Sequence, residues 1–366
     1  MSLNSYYLSI AEGKNPGFMA KALRTLLIPP SAVYSLFPLI KEKLYGQGLL
    51  KAGKLSVPVI SVGNLSWGGT GKTPAVIEIS KILKNTNIFH AVLSRGYGSR
   101  ADSDESIIIS DKDKVLIEPP DSSDENYLIA VNLPGVPVIQ DKNRCRGGNT
   151  AVDKFAVGCL LLDDGFQHLK IARDINILLW DSRVDPENTF PIPAGTLRER
   201  ISSAVRADII ILTKTNQKGS TESECESFFK NRFPDKMIFH SCHDISEIRE
   251  YGKEESFKAE SFAGKKAVAF CAIADDSSFK STIEDAGIKI TEFISFRDHH
   301  HYLQEDVTLL KESMKTSGAD FLITTEKDIS RNGRILKDAG PIIYPVIRFK
   351  VAEEEIFRKL ILKPFN

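Results

Sequence analysis

The sequence has no excess of charge of either sign and few cysteines. Its 366 residues include 48 basic and 48 acidic side chains, for a formal net charge of +0. Nucleic-acid-binding domains normally carry a basic excess, so no nucleic-acid partner is expected. The five cysteines form no Cys-x-x-Cys pair, which is typical of a reducing compartment. The N-terminus also lacks the pattern of a secretory signal. Together these absences predict a cytoplasmic protein.

The length predicts more than one domain, because domains average roughly 150 residues. We expect an N-terminal arm over 1–54, a larger domain over 55–225 and a smaller one over 226–366. The boundary is placed after a polar, turn-rich segment at 215–224. The expected architecture is α/β throughout, and no obligate protein partner is evident.

The N-terminal arm is basic and apolar. Residues 1–54 contain seven basic and two acidic side chains, and 25–40 carry no charge. A membrane-spanning helix needs about 20 apolar residues, and Pro29, Pro30 and Pro38 are expected to break a helix here. The arm therefore predicts either contact with the headgroup region of a membrane or a structural role, in which it packs on the protein core or joins a dimer contact.

From residue 56 onward, short β-branched segments alternate with helical patterns, which indicates parallel α/β layers. An acidic, irregular segment over 100–127 is expected to be a loop. The predicted strands are 57–62, 88–93, 136–139, 155–162, 175–180, 208–212, 266–271, 289–296, 321–324 and 342–349. The predicted helices are 74–84, 277–286, 304–317 and 352–362.

A glycine-rich loop follows the first predicted strand and carries the strongest functional signal. It ends in Gly68-Gly69-Thr70-Gly71-Lys72-Thr73, just before the helix at Pro74. Such a loop presents backbone N–H groups to phosphate, its lysine reaches the β- and γ-phosphates, and its threonine ligates Mg²⁺. Ser66 replaces the first glycine of the usual Gly-x-x-x-x-Gly-Lys-[Ser/Thr] pattern, so a strict search would miss the loop.

A second half of a nucleotide site follows the predicted strand 155–162. Asp163 and Asp164 stand at its carboxyl end, where ligands collect in open α/β sheets and where phosphate-loop enzymes hold their metal. The sequence does not contain the motif by which GTP-binding proteins recognise the guanine base. Thr213-Lys214 begins like a guanine-specificity motif, but Asn216 stands where that motif has Asp, so GTP is disfavoured.

The motifs closely resemble those of the tetraacyldisaccharide 4′-kinase (lipid A 4′-kinase) family over about residues 15–350. The resemblance lies in segments 59–64 and 72–74, the Leu-Ser-Arg-Gly-Tyr-Gly segment 93–98, and the Asp-Asp-Gly-Phe-Gln-His segment 163–168. It continues at 124–125, 144, 193–195, 197–199, 298–300 and 325–328. One departure is visible, because the family usually reads Gly-Asp-Glu-Pro where this chain has Ser-Asp-Glu-Asn over 123–126.

The resemblance implies a P-loop NTPase-like α/β/α sandwich with a second, smaller α/β/α domain. It implies transfer of the ATP γ-phosphoryl group to the 4′-hydroxyl of an acylated glucosamine disaccharide 1-phosphate, with Mg²⁺, in lipid A biosynthesis. Because that acceptor is a lipid, the resemblance also favours peripheral attachment of the arm to the membrane surface, at the cytoplasmic face of the inner membrane.

The resemblance also assigns roles to residues. Asp124 would be the base, supported by His299 from the other domain, and Lys72 would neutralise the departing phosphate. Nucleotide contacts are expected from Ser66, Gly68, Gly69, Thr70, Gly71, Lys72 and Thr73. Metal ligation is expected from Thr73, Asp163 and Asp164. Positions near substrate are Glu125, Arg144, Gln167, His168, Arg198 and Glu199.

Two other functions remain open from the residues alone. A nucleotide-switch ATPase would share the phosphate loop and hydrolyse ATP without a lipid acceptor. A soluble small-molecule kinase would use the arm only for packing. The histidine tract 299–301 is not expected to bind metal, because neighbouring side chains of an extended segment point to opposite faces.

Overall fold

The computed structural model describes residues 7, 9–11, 13, 15, 17–97, 99, 104–253 and 255–365. Within them, one sheet has the strand order β11-β10-β12-β13-β8-β7-β6-β1-β5-β2-β4-β3, and β9 pairs with β8. The strands are β1 Val59–Asn64, β2 His90–Ser94, β3 Ile107–Ser110, β4 Val138–Gln140, β5 Cys159–Asp163, β6 Ile175–Asp181, β7 Ile209–Thr213, β8 Met237–Glu250, β9 Ser256–Phe257, β10 Lys266–Cys271, β11 Lys289–Ser295, β12 Phe321–Ile323 and β13 Ile342–Val351.

Helices cover the faces of the sheet. They are α1 Phe18–Leu26, α2 Ile28–Gly46, α3 Lys72–Asn85, α4 Asp124–Asn132, α5 Arg144–Phe155, α6 Glu222–Arg232, α7 Asp276–Asp285, α8 Gln304–Ser317, α9 Glu326–Leu336 and α10 Glu354–Leu362. The sheet is mainly parallel, and β1 lies between β5 and β6. Strands β1, β5, β6 and β7 are buried along their whole length, as expected where helices cover both faces of a parallel sheet.

The predicted α/β fold is confirmed, with local corrections. The expectation of a loop over 100–127 is wrong in part: the described residues of that segment include β3, and α4 begins at Asp124. Helices α6 and α9 were not predicted, because their apolar positions are few and charged residues dominate them. Strand β8 was also not predicted, since its polar and apolar residues follow no simple alternation.

Strand β8 joins the two halves of the molecule. Its first residues pair in parallel with β7, and the rest of the strand pairs antiparallel to β13. The chain then returns, because Phe357 and Ile361 of α10 pack in the same apolar core as β1 and α3. The division after residue 225 therefore stays a prediction, while the sheet itself is continuous.

The expectation that prolines break the arm helix agrees with the break just before Pro29 and Pro30 but is wrong for Pro38. Pro29 and Pro30 lie in the first turn of α2 and Pro38 lies inside it, and the chain bends between α1 and α2 at Leu27. Proline is tolerated in a first turn because the N–H groups there have no intrahelical acceptor. No single helix among the described residues is long and apolar enough to cross a membrane, although α1 and α2, bent by 41°, pass that test of length and composition as a pair.

Candidate active site

The phosphate loop connects β1 to α3 in the conformation that its glycines require. Gly71 precedes the helix at φ +83°, in the left-handed region. A side chain there would also collide, since a Cβ on Gly71 would lie 2.7 Å from Nε2 of His243. Gly68 has φ +104°. These two positions therefore need glycine for backbone reasons.

The serine that breaks the usual loop pattern has a structural explanation. Ser66 forms an antiparallel bridge with Leu197, and the neighbouring Trp67 N–H donates to the Thr196 carbonyl at 2.8 Å. Ser66 does not have a positive φ, so the position does not require glycine. The segment that contains Thr196 and Leu197 thus holds the start of the loop in position, and the backbone there does not need the flexibility of glycine.

Asn64 organises the polar side chains of the loop and was not predicted. Its amide donates to Thr70 Oγ1 at 2.9 Å, and its Oδ1 accepts from Lys72 Nζ at 3.3 Å. Thr70 and Thr73 are buried. Because α3 begins at Lys72, its free N–H groups and the lysine ammonium face the same region, as in a site for a polyphosphate.

The two aspartates after β5 differ in their surroundings. Asp164 accepts two hydrogen bonds from Arg198 Nη1, at 3.0 and 2.8 Å, and its Oδ1 lies 3.8 Å from Lys72 Nζ. Burial raises the pKa of Asp164, but Lys72 and Arg198 outweigh it and leave that pKa below its usual range. Burial, followed by repulsion from Asp164, raises the pKa of Asp163 to about 6.

The environment of Asp163 fits a divalent cation. Its Oδ1 is buried and has no hydrogen-bond partner among the described residues, and a buried carboxylate without a partner is costly. Asp163, Asp164 and Thr73 line the same cleft. Their donors are carboxylate and hydroxyl oxygens, the ligands that Mg²⁺ prefers.

Asp124 and His299 meet across the two halves of the chain. Asp124 is the first residue of α4, whose N-cap Ser123 accepts from the Asn126 N–H at 3.2 Å. The Ser and Asn that distinguish this segment from the family pattern thus form a helix start. His299 Nδ1 lies 3.2 Å from Asp124 Oδ2.

The contact lowers the pKa of Asp124 and raises the pKa of His299. The hydrogen bond to Asp124 raises the pKa of His299 above its usual value. Burial raises the pKa of Asp124, but the His299 hydrogen bond and the charge of Arg331 outweigh it and leave that pKa lowered. The carboxylate is therefore ionised at neutral pH.

Helix α9 supplies three further contacts to α4 that the sequence analysis missed. Arg331 Nε donates to Asp124 Oδ2 at 2.6 Å, Lys327 Nζ donates to Glu125 Oε1 at 2.5 Å, and the Asn132 amide donates to Glu326 at 2.8 Å. About 200 residues separate each pair in sequence. Only the presence of 325–328 among the matching motifs pointed to this helix.

The residues predicted to lie near substrate divide into two groups. Glu125, Gln167, His168, Arg198 and Glu199 line the cleft. Arg144 lies behind it, where it donates to the Asp141 and Asp163 carbonyls at 2.5 and 3.4 Å.

Several of the cleft residues also have internal partners. Gln167 donates to the Asn64 carbonyl at 2.7 Å, and Glu199 pairs with Arg206. Burial, then the charge of Arg144, lowers the pKa of His168 to about 3. Gln167 therefore supports the start of the phosphate loop as well as facing the cleft.

The cleft has a volume of about 1350 Å³ and lies between the two halves of the chain. Its walls include the predicted nucleotide and metal residues Gly68, Gly69, Thr70, Gly71, Lys72, Thr73, Asp163 and Asp164, together with His299. Ser66, a predicted nucleotide contact, and Asp124, the predicted base, stand just behind the wall. Gly98 of the matching segment 93–98 lies outside the described residues.

Sequence comparisons place this chain in a known family. A family model described as Tetraacyldisaccharide-1-P 4′-kinase matches residues 23–366. The chain belongs to the tetraacyldisaccharide-1-P 4′-kinase family. A relative named tetraacyldisaccharide 4′-kinase from Syntrophus aciditrophicus is 34% identical over 342 residues, which cover 90% of this chain and 91% of that protein. A relative of the same name from Pelobacter propionicus is 35% identical over 327 residues, covering 89% and 88%.

A solved structure of the tetraacyldisaccharide 4′-kinase family has the same fold. The crystal structure of LpxK from Aquifex aeolicus in complex with ATP aligns with a TM-score of 0.76 and 31% identity, covering 94% of this chain and all of that one. The family and the α/β phosphate-loop architecture expected from the sequence are therefore confirmed.

Proposed function

We propose that this chain transfers the γ-phosphoryl group of ATP to the 4′-hydroxyl of an acylated glucosamine disaccharide 1-phosphate, a reaction of lipid A biosynthesis. One observation carries the proposal: the phosphate loop ending at Lys72 and the His299 side chain line a single cleft, and His299 pairs with Asp124 just behind its wall. A phosphate-binding loop alone would suit any nucleotide hydrolase, whereas a paired carboxylate beside the same cleft suits a hydroxyl acceptor. Family membership supports the same reaction.

The chain's own residues supply positioning and charge. The hydroxyl oxygen forms a bond to the γ-phosphorus as the bond from phosphorus to the β,γ-bridging oxygen breaks, and ADP leaves with the electron pair. Lys72 at the start of α3 compensates the charge that develops on the departing phosphate. Mg²⁺ held by Asp163, Asp164 and Thr73 would supply further charge neutralisation on the phosphates.

Asp124 accepts the proton that the hydroxyl loses in this proposal, and His299 orients the carboxylate. A positioned base contributes about 10²–10⁴-fold to such a step. The two halves of the chain already meet at the Asp124–His299 contact, and closure of the cleft over bound substrates would exclude water. Glu125, Gln167, His168 and Arg198 would then contact the bound substrates.

A direct assay tests the proposal. Purified protein with labelled ATP, Mg²⁺ and the acylated disaccharide 1-phosphate is expected to yield a bisphosphorylated lipid, detected by thin-layer chromatography and mass spectrometry. Parallel reactions without the acceptor measure hydrolysis of ATP. Acceptor-independent hydrolysis with no labelled lipid would instead identify a nucleotide-switch ATPase.

The arm favours peripheral docking at the cytoplasmic face of the inner membrane, where the lipid acceptor lies. The arm buries polar side chains and exposes apolar ones, the reverse of the usual pattern in a water-soluble protein. Ser31 and Ser35 are buried against the protein, while Phe18 and Phe37 are 83% and 72% exposed. Ser31 donates to the Pro191 carbonyl at 2.6 Å, and Arg200 donates to Ser35 Oγ at 2.7 Å.

Charge and position strengthen this inference. Exposed Lys21 and Lys43 stand on the same two helices as the apolar side chains, and basic residues near an anionic surface contribute about 1 kcal/mol each. Tyr34, Phe37 and Lys41 of α2 also line the cleft. The arm would therefore bring the cleft to the membrane surface.

Replacement of Phe18 and Phe37 by Ser is expected to reduce binding to vesicles of anionic phospholipid, because two large apolar contacts with the acyl region are lost. Flotation of wild-type and variant protein with such vesicles measures the change. The matched control is Ile356→Ser on α10, an exposed apolar residue at 45% exposure outside the arm. If the Phe18/Phe37 variant floats as well as the wild type, the arm is not the membrane anchor.

A further inference from the structure

Arg331 of α9 contacts both members of the proposed base pair. Its Nε donates to Asp124 Oδ2 at 2.6 Å, and its Nη2 lies 3.1 Å from His299 Nδ1. Asp124 is in the first half of the chain and the other two residues are in the second. One guanidinium group therefore spans the contact between the halves at the point where the hydroxyl proton must be removed.

The guanidinium is itself held rigidly. The Arg331 side chain is 1% exposed, its Nη1 donates to the Ala272 carbonyl at 3.2 Å, and it lies 3.8 Å from the buried carboxylate of Asp328. Asp328 in turn accepts from the Ala272 N–H and the Tyr302 hydroxyl. A planar group fixed at several nitrogens can orient a carboxylate in a way that a flexible ammonium cannot.

These contacts use only one oxygen of the base. Among the described residues, the side-chain hydrogen bonds to Asp124 from His299 and Arg331 both end on Oδ2. The other oxygen, Oδ1, is thereby left to accept a proton from the substrate. Asp124 itself stands just behind the cleft wall, so its orientation decides whether Oδ1 reaches the substrate hydroxyl.

We propose that Arg331 is a positioning residue, which fixes the Asp124 carboxylate so that Oδ2 accepts from Arg331 and His299 while Oδ1 receives the hydroxyl proton. This inference rests on the proposed function, in which Asp124 is the base. Arg331 touches neither ATP nor the acceptor in this account, and it acts through the Asp124 carboxylate that it holds.

The charge of Arg331 adds a consequence for pH dependence. The charged groups near the Asp124–His299 pair are Arg331, Glu125, Lys327 and Asp298. Arg331 lowers the pKa of both Asp124 and His299. Its removal would raise both values, so the fraction of unprotonated Asp124–His299 pairs at a given acidic pH would fall.

Steady-state kinetics of Arg331→Gln and Arg331→Lys test the proposal. Arg331→Gln is expected to lower kcat on the order of 10²-fold, since misplacement of a reacting group by about 1 Å has that effect. The KM for ATP should stay unchanged, and the acid limb of kcat against pH should move to higher pH. Arg331→Lys keeps the charge and should recover part of kcat and return the acid limb towards the wild-type position.

The matched control is Arg334→Gln. Arg334 is on the same helix, is 89% exposed and pairs with Glu118, so its loss should leave kcat and the pH profile at wild-type values. Thermal unfolding of each variant reports folding, and ATP binding by calorimetry reports an intact phosphate loop. Arg331→Lys, as the milder change to a buried site, provides the kinetic comparison if Arg331→Gln unfolds.

The outcomes separate this proposal from the proposed function. If Asp124→Asn loses turnover while folded Arg331→Gln keeps wild-type kcat and pH profile, the positioning role is wrong and the base assignment stands. If Arg331→Gln and Arg331→Lys lose kcat equally with no shift in the pH profile, Arg331 is only structural. If Asp124→Asn itself retains full turnover, the base assignment is wrong and the positioning role falls with it.

Discussion

Replacement of Lys72 by Ala is expected to lower kcat by about 10²–10³-fold, the usual effect of removing one preorganised group that stabilises transition-state charge. Lys72 Nζ lies 3.3 Å from Asn64 Oδ1 and 3.8 Å from Asp164 Oδ1, so the lysine is already held in place before nucleotide binds. Among the described residues, Lys72 is the basic side chain at the start of α3. Its truncation to Ala therefore removes the positive charge that would contact the phosphates. Turnover of ATP to phosphorylated lipid measures the loss.

The control for this change lies on the same helix. Lys84 near the end of α3 donates to the Pro134 carbonyl on an exposed surface, so Lys84→Ala should retain wild-type turnover. Thermal unfolding shows whether Lys72→Ala is folded. A folded Lys72→Ala protein with wild-type kcat would contradict the placement of the nucleotide phosphates at this loop.

Replacement of Asp124 by Asn is expected to lower kcat by about 10²–10⁴-fold, the contribution of a positioned general base. The amide keeps the size of the carboxylate but cannot accept the hydroxyl proton. Binding of ATP should persist, since Asp124 is not part of the phosphate loop. The measurements are kcat with saturating substrates and the dissociation constant for ATP.

The exposed Asp153 on α5 is a matched control for Asp124→Asn, because Asp153→Asn makes the same chemical change outside the cleft. The pH profile adds a second check. Asp124 has a lowered pKa and stays ionised near neutral pH, so an acid limb seen near neutrality reports His299, whose pKa is raised above 6.5. Activity should rise as pH increases through the raised pKa of His299, and His299→Asn should remove the limb.

The parts of the site that lie at the ends of single strands could be predicted from the sequence. The phosphate loop follows β1 and Asp163 ends β5, so their proximity follows from the rule that parallel strands end at one edge. The paired strands β1 and β5 bring them together as expected. Burial of a whole strand also leaves a clear apolar pattern, which made these strands easy to predict.

Contacts between distant helices could not be predicted in the same way. Arg331 and Asp124 are 207 residues apart, and Lys327 and Glu125 are 202 apart. No periodicity links such positions, because their approach depends on how the two halves of the sheet join through β8. The helix that contains Pro38 was missed for a different reason: tertiary contacts at Ser31 and Ser35 hold α2 on the protein despite the proline.

The return of the chain through β13 makes the lobe between β8 and β13 an insertion within the first half. Phe349, Val351, Phe357 and Ile361 all pack in the core that contains β1 and α3. An expression fragment that stops near residue 225 would therefore expose this apolar surface to water and lack β8, one of the two strands that pair with β7. Removal of the inserted lobe requires a short linker from β8 directly into β13, so that α10 is retained and the nucleotide-binding lobe can fold alone.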